Sequence, residues 1–145
     1  MSSESSIQTN IIGYINSLPN GRAENVSGNA QQSGRADINA CIDGKTFKIE
    51  VKTEDTAYGR KGATLKQQLY LEKWAISGAV SCVVYSVDDV KYMINYPMIV
   101  DAIKYPKITP KSVTRHIENL RKHIHPSGRG KWYDVQNKRW VDISY

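Results

Sequence analysis

Polar and apolar residues alternate in two neighbouring segments, residues 35–42 and 45–53, which are joined by Asp43 and Gly44. Strict alternation predicts β-strands, because successive side chains of a strand point to opposite faces of a sheet. An Asp-Gly pair between two such segments is a strong signal for a two-residue hairpin turn. We therefore predict a β-hairpin in which Ile42 lies opposite Lys45.

This register divides the hairpin into an apolar face and a polar face. The apolar face is expected in the core, and its opposed pairs are Ala40 with Phe47, Ile38 with Ile49, and Ala36 with Val51. The polar face has Cys41 opposite Thr46, Asn39 opposite Lys48, Asp37 opposite Glu50, and Arg35 opposite Lys52. The pair of acids on the polar face is the unexpected feature.

Asp37 and Glu50 would place two like charges directly across the strand pair. Opposed residues have Cβ atoms roughly 5 Å apart, and like charges at that distance destabilise a sheet. A cation between the carboxylates would remove the repulsion, and hard oxygen ligands at the end of a sheet suit Mg²⁺ or Mn²⁺. Lys52 shares a face with Glu50, where an ammonium can orient an attacking water and offset charge on a phosphoryl group.

Two alternatives remain open for this motif. Glu50 and Lys52 could form a diagonal ion pair on an ordinary solvated face of a strand. A slip of the register by one residue would turn Asp37 inward and remove the site.

The remaining hydrophobic pattern predicts helices on both sides of the hairpin. A first helix is predicted by apolar residues at helical spacing, which are Ile7, Ile11, Tyr14, Ile15 and Leu18. The other predicted segments are, in chain order, a loop at 20–34, a polar loop at 54–63, a helix from about 64 to 77, a buried strand at 79–86, a helix from 87 to about 96, a basic helix at about 111–122 and a hairpin at 131–143. The order α-β-β-α-β in the first ninety residues indicates an α/β fold, with a mixed sheet flanked by helices.

The last hairpin, with residues 136–137 as its turn, would bring Tyr133 opposite Trp140 and Asp134 opposite Arg139. The basic residues around these aromatic side chains are Arg129, Lys131, Lys138 and Arg139. Aromatic rings among cations can stack on unpaired bases. The alternative is that the two rings pack on each other, against the domain or against a second subunit.

Length and charge define a single basic domain. The chain has 145 residues and a formal net charge of +6, which favours a polyanionic partner. Between residues 104 and 139 there are ten Lys or Arg against two acids. We therefore divide the chain into a core, 1–100, and a basic C-terminal extension, 101–145, packed on the core or on a second subunit.

The chain contains neither a long apolar run nor the pattern of an export signal. No run of about eighteen apolar residues is present, and the start, "MSSESSIQTN", lacks the basic and apolar regions of a signal peptide. We expect a cytoplasmic protein. Cys41 and Cys82 lie in apolar, strand-like runs and are expected as reduced core residues.

The segment "GRADINACIDGKTFKIEVKT", followed by "YGRKGATLKQQLYLEKWAISGAVSCVVYS", resembles the VRR-Nuc (virus-type replication-repair nuclease) branch of the PD-(D/E)xK nuclease superfamily. The matching positions are Gly34, Asp37, Glu50-Val51-Lys52, Gln67 and Gly78-Ala79. The resemblance covers residues 34–86 and extends to the first helix, but not beyond about residue 95. It implies a restriction-endonuclease-like core.

The resemblance also implies roles for the residues at the hairpin. Asp37 and Glu50 match metal ligands, with the Val51 carbonyl as a third. Lys52 matches the catalytic lysine, and Gln67 matches a glutamine near the scissile phosphate or the attacking water.

This chain departs from the family pattern at two places. Ala36 stands where a proline often precedes the aspartate. The family also tends to have an acidic ligand in its first helix, for which Glu4 is the candidate, with Glu24 in the following loop as its rival.

Gln67 also fits a structural role, since Thr64 and Gln67 have the spacing of a helix capping box. In that case Gln68 could replace it at the site. The preceding loop, residues 59–62, is either a flexible basic grip on backbone phosphates or an ordinary solvated loop. The residues expected to contact nucleic acid are Arg35, Arg60, Lys61, Lys66 and Gln68.

Together, the residues and the resemblance predict an endodeoxyribonuclease that depends on Mg²⁺, with Mn²⁺ as a substitute. Within the family's range, branched or Holliday-junction DNA is the expected substrate, because this looks like a short, stand-alone phage-type protein. A junction resolvase needs two active sites and hence a homodimer. Two alternatives are a nicking or restriction-type endonuclease that reads sequence, and a non-catalytic nucleic-acid-binding module on the same fold.

Overall fold

The computed structural model describes residues 3–26, 35–95 and 130–143. Its strands are β1 (Gly21–Asn25), β2 (Ile38–Ile42), β3 (Lys45–Val51), β4 (Val80–Val84), β5 (Lys131–Asp134) and β6 (Arg139–Asp142). Its helices are α1 (Glu4–Ser17), α2 (Ala57–Arg60), α3 (Leu65–Ile76) and α4 (Val87–Asn95). The predicted basic helix at about 111–122 lies outside the described residues.

The six strands form one mixed sheet whose spatial order is the order of the chain, from β1 to β6. The pairing of β3 with β4 is parallel and the other four pairings are antiparallel. A parallel pair requires a crossover, and α2 and α3 lie in the connection between β3 and β4. The predicted α/β class, with a mixed sheet and flanking helices, is confirmed.

One face of the sheet is covered by α1 and α4. The apolar stripe of α1, Ile7, Ile11 and Ile15, packs against Ile38 and Ile49 in the main core cluster. Ser3 begins the helix, because its side chain accepts a hydrogen bond from the Ser6 amide. The predicted apolar face of the hairpin is therefore in the core.

The opposite face of the sheet is covered by α3. Leu71 of this helix packs with Val83 of β4 and with Tyr85, which directly follows that strand, in a second, smaller cluster. As a result β3 is buried on both faces, and Lys48, Glu50 and Lys52 are only 5%, 2% and 2% exposed. The alternative of an ordinary solvated face is wrong, because α3 lies over it.

The region predicted as a loop at 20–34 contains a strand. β1 pairs antiparallel with β2, and its central residue, Ala23, is the buried one of the five. An edge strand needs little apolar surface, so the polar segment "GRAEN" carries almost no periodic signal. The polar loop at 54–63 likewise contains the short helix α2.

The C-terminal hairpin is part of the sheet. β5 pairs with β4, so β5 and β6 extend the core sheet by two strands. Tyr133 lies opposite Trp140 and Asp134 opposite Arg139, as predicted. The connection is longer than the expected two residues, since the strands end at Asp134 and resume at Arg139.

The two cysteines differ in their environment. Both are free, but Cys82 is buried and Cys41 is exposed. The expectation of a core position for Cys41 is wrong, because it lies on the face of β2 opposite to Ile42 and Ala40. In the described part of the chain, no helix has the length and apolar character needed to cross a membrane.

Candidate active site

The β2–β3 hairpin has the predicted register from Ile38 to Ile42, with Ile38 opposite Ile49 and Ile42 opposite Lys45. The strand pairing ends there, one residue short of Asp37. The predicted pairing of Ala36 with Val51 is wrong, because the two residues lie in different clusters. Ala36 is buried in the α3-side cluster, whereas Val51 belongs to the α1-side core. The chain therefore changes direction before β2 begins.

Asp37 reaches β3 with its side chain instead of its backbone. The Lys52 amide donates to the Val84 carbonyl of β4, 2.9 Å away. Because successive amides of a strand point to opposite edges, the Val51 amide points toward β2. It donates to Asp37 Oδ2 at 2.8 Å. This hydrogen bond fixes the carboxyl group of Asp37 beside that of Glu50.

Glu50 is the most constrained acid of the site. Its Oε1 accepts a hydrogen bond from Gln67 Nε2 at 2.8 Å and lies 3.5 Å from Lys52 Nζ. Its Oε2 is buried and has no hydrogen-bond partner in the part of the chain that the structure describes. A buried carboxylate oxygen without a partner is costly, so this atom is available to a ligand.

The two carboxyl groups interact directly, and their pKa values reflect it. Burial raises the pKa of Glu50 to about 8, and repulsion from the Asp37 carboxylate adds to the shift, while the Lys52 ammonium opposes it. Burial also raises the pKa of Asp37, against the lowering effect of the Val51 amide. Both acids are thus held in surroundings that disfavour their charged forms.

Gln67 caps α3 and also contacts Glu50. Its Oε1 accepts from the Thr64 amide at 2.9 Å, and its own amide donates to Thr64 Oγ1 at 3.2 Å, which completes the capping box. Its Nε2 donates to Glu50. The cap holds the Gln67 side chain in the orientation that contacts the acid. Gln68 is not needed as a replacement, and it donates to the Ala63 carbonyl at 2.8 Å.

Lys52 lies between Glu50 and an aromatic cover. Its Nζ is 5.1 Å from the centre of the Tyr58 ring, on α2. Tyr58 itself is 62% exposed. The ammonium is therefore screened from solvent by a side chain at the surface, a position from which a substrate could approach.

Asp37, Glu50, Lys52 and Gln67 are hereafter the carboxylate site. Two mutually repelling carboxyl groups, one with an unpartnered buried oxygen, fit a hard divalent cation, and Mg²⁺ needs few protein ligands. Val51 directly follows Glu50 in the chain, and its amide donates a hydrogen bond to Asp37. The end of β3, which includes the Val51 carbonyl, is therefore fixed beside the two acids.

Glu4 does not complete the site. No group of three or more His, Cys, Asp or Glu side chains suited to a metal occurs within residues 3–26, 35–95 and 130–143, so neither Glu4 nor its rival Glu24 joins the two acids. The first helix instead contributes Gln8, which hydrogen-bonds to Asp37 and accepts from Asn25 Nδ2 at 2.9 Å.

Gln8 could have been found from the sequence. It lies three residues before Ile11 and seven before Ile15, so it is a polar residue within the apolar stripe of α1. Such a residue is buried and needs a polar partner, which Asp37 and Asn25 supply.

A basic cleft of about 390 Å³ lies beside the carboxylate site. Its lining residues are Arg60, Lys61, Gly62, Ala63, Gln68, Val83, Tyr85, Lys131, Trp140 and Asp142. Three of the five residues predicted to contact nucleic acid, Arg60, Lys61 and Gln68, thus come together. Arg35 and Lys66 are not among the lining residues.

The cleft and the carboxylate site share one face of the sheet. Glu50 pairs with Val83, Val83 with Lys131, and Lys131 with Asp142, so these residues form a row across four strands. Adjacent strands are about 4.8 Å apart. The floor of the cleft therefore begins one strand away from Glu50.

Comparison of the chain with protein-family models, with curated proteins and with solved structures finds no match.

Proposed function

We propose that this protein is a Mg²⁺-dependent endodeoxyribonuclease of the VRR-Nuc kind, with a restriction-endonuclease-like core. The observation that supports it most is the convergence of Asp37, Glu50, Lys52 and Gln67, from three parts of the chain, around the unpartnered oxygen of Glu50. The reaction is hydrolysis of a phosphodiester bond. Mn²⁺ would substitute for Mg²⁺.

Asp37, Glu50 and the Val51 carbonyl would hold the cation, which when bound activates water and neutralises charge on the phosphoryl group. Gln67 engages Oε1 of Glu50, so Oε2 would be the oxygen that binds the cation. Lys52 contributes a positive charge 3.5 Å from Glu50, where it orients the attacking water and stabilises charge on a phosphate oxygen.

The substrate we propose is branched or Holliday-junction DNA, cleaved by a homodimer with two active sites. The net charge of +6 and the cations of the basic cleft support a polyanionic substrate. The preference for branched DNA follows from the resemblance to the VRR-Nuc branch.

Cleavage assays test this proposal. Linear duplex, flap and four-way junction DNA are incubated with the protein in Mg²⁺ or in EDTA, and we expect Mg²⁺-dependent cleavage that favours the branched substrates. Cleavage of linear duplex at one sequence, with junctions ignored, would contradict the branched-DNA preference and indicate a restriction-type enzyme.

The chain offers a matched pair of lysines for the chemistry. Lys52→Ala should abolish cleavage while binding remains, with a loss of about 10²-fold or more. Lys48 is the control, because it is buried on the same face of β3 but donates to Asn39 Oδ1 at 2.8 Å, away from Glu50. Lys48→Ala protein that is folded should retain cleavage. A wild-type protein that binds DNA but cleaves none of the three substrates would identify a binding module.

A further inference from the structure

The basic cleft combines an aromatic ring with cations, on the same face of the sheet as Glu50. Trp140 lines it together with Arg60, Lys61 and Lys131. Its volume of about 390 Å³ is within the range of pockets that enclose small ligands. One carboxylate, Asp142, also lines it, and it is paired with Lys131 at 3.1 Å.

Trp140 is held in place by contacts with Glu72 and Tyr133. Its Nε1 donates to Glu72 Oε1 of α3 at 2.8 Å. The Tyr133 ring packs against it edge-on, with the ring centres 5.4 Å apart. The predicted packing of the two rings is thus present, and it leaves Trp140 half-buried at the wall of the cleft. A fixed ring loses little freedom when a base stacks on it.

The basic loop is anchored as well. The Tyr85 hydroxyl donates to the Gly59 carbonyl at 2.8 Å. A side chain at Gly59 of α2 would overlap the Thr53 carbonyl, so only glycine fits at this position. Arg60 and Lys61 therefore follow a fixed point of the backbone.

We infer that the basic cleft binds one unpaired nucleotide of the DNA substrate, with its base on Trp140 and its phosphate near Arg60 and Lys61. A base within a duplex is stacked between its neighbours, so only an unpaired or extruded base can reach the ring. Because the cleft begins one strand from Glu50, the nucleotide in it lies close to the phosphate at the carboxylate site. This inference rests on the proposed function and specifies the local form of its substrate.

Binding measurements test the inference apart from cleavage. In protein that carries Lys52→Ala, so that no substrate is consumed, the affinities for oligo(dT) and for a blunt duplex of equal length are measured by fluorescence anisotropy in Mg²⁺. Trp140→Leu should weaken oligo(dT) binding by about tenfold or more, because it removes one stacking platform. Trp140→Phe, which keeps an aromatic face, should restore most of the loss, and duplex binding should change by less than about twofold.

Trp74 provides the matched control. It is a partly exposed tryptophan of the same helix that holds Glu72, but it packs over the Lys48 ammonium, 3.7 Å from the ring centre, and it does not line the cleft. Trp74→Leu should leave oligo(dT) affinity unchanged. Equal losses in both leucine variants, equal losses on both ligands, or no loss in Trp140→Leu would overturn the inference.

Fluorescence keeps the inference testable if Trp140→Leu does not fold. Oligo(dT) should quench the tryptophan emission of Trp74→Phe, which retains Trp140 and the buried Trp132, more than that of a variant with both Trp74→Phe and Trp140→Phe, which retains Trp132 alone. Equal or absent quenching would overturn the inference. The two proposals fail separately. Cleavage without any dependence on Trp140 contradicts the nucleotide site alone, whereas Trp140-dependent binding without Mg²⁺-dependent cleavage contradicts the nuclease alone.

Discussion

The two faces of β3 are buried to a similar degree but have opposite characters. Toward α1 the strand presents Phe47, Ile49 and Val51, which form part of the main core. Toward α3 it presents Lys48 and Glu50, and Lys52 directly follows the strand. These three residues are no more exposed than Phe47. The first face stabilises the fold by removing apolar surface from water. The second places charged groups where they are costly, which is typical of a functional site.

The two lysines of the polar face sharpen this difference. Lys48 is well satisfied, since it donates to Asn39 and lies over the Trp74 ring. Lys52 faces Glu50, which in turn faces Asp37 and has an oxygen without a partner. The buried charge of Lys48 is therefore satisfied by the protein itself. At Lys52 one ammonium faces two carboxyl groups, and a bound cation would offset the remaining repulsion between them.

The largest effect is expected on the apolar face. Ile49→Ala should destabilise the protein by about 2–5 kcal/mol, because it leaves a cavity in the core. The free energy of unfolding is measured by urea denaturation. Thr46→Ala, at an exposed position near the start of the same strand, is the control and should change stability by less than about 0.5 kcal/mol. A small loss for Ile49→Ala would mean that this face is not the main source of stability.

On the polar face of β3, the charged form of Glu50 should destabilise the folded protein. The pKa of Glu50 is raised to about 8 in the folded protein from an ordinary value of 4.5, so between these pH values the folded state binds more protons than the unfolded state. The free energy of unfolding therefore falls as pH rises through this window. Glu50→Gln should remove most of this fall, on the order of 2–3 kcal/mol between pH 5 and pH 8 without divalent cations.

Denaturation of the wild type and Glu50→Gln at several pH values, in EDTA, measures this effect. Glu72→Gln is a control on the same side of the sheet, at a carboxylate that accepts a hydrogen bond from Trp140. It should leave the pH dependence in place. A variant Glu50→Gln with the same pH dependence as the wild type would show that this acid is not the group responsible.

A smaller effect is expected from the cation itself. If Mg²⁺ binds the folded protein, a concentration ten times its Kd should stabilise the wild type by about 1.4 kcal/mol. Because the cation requires ionised carboxylates, this stabilisation should be larger at pH 8 than at pH 6. The Tm is measured with MgCl₂ and with an equal ionic strength of NaCl. Glu50→Gln should lose the Mg²⁺ effect, and a shift of equal size in the variant would place the cation elsewhere.

Local patterns were sufficient for the elements with strong periodicity. The β2–β3 hairpin, the helix that begins after Thr64 and the pairing of Tyr133 with Trp140 were predicted with their register or caps. Each depends on interactions between residues close in sequence. β1 was missed because a polar edge strand with one buried residue resembles a loop. Glu4 was expected as a ligand by resemblance, whereas Gln8 is the residue of α1 that contacts Asp37.

The sequence by itself determined the alternating hairpin, the acids Asp37 and Glu50, the adjacent Lys52 and the glutamine cap of α3, because turn residues and strand periodicity act over a few residues. Only the tertiary structure decided that α3 covers the polar face of β3. It also decided that Gln67 contacts Glu50 and that the C-terminal hairpin extends the sheet to form the basic cleft. These features depend on contacts between residues far apart in the chain, and on the competition between desolvation and charge pairing, which local patterns do not encode.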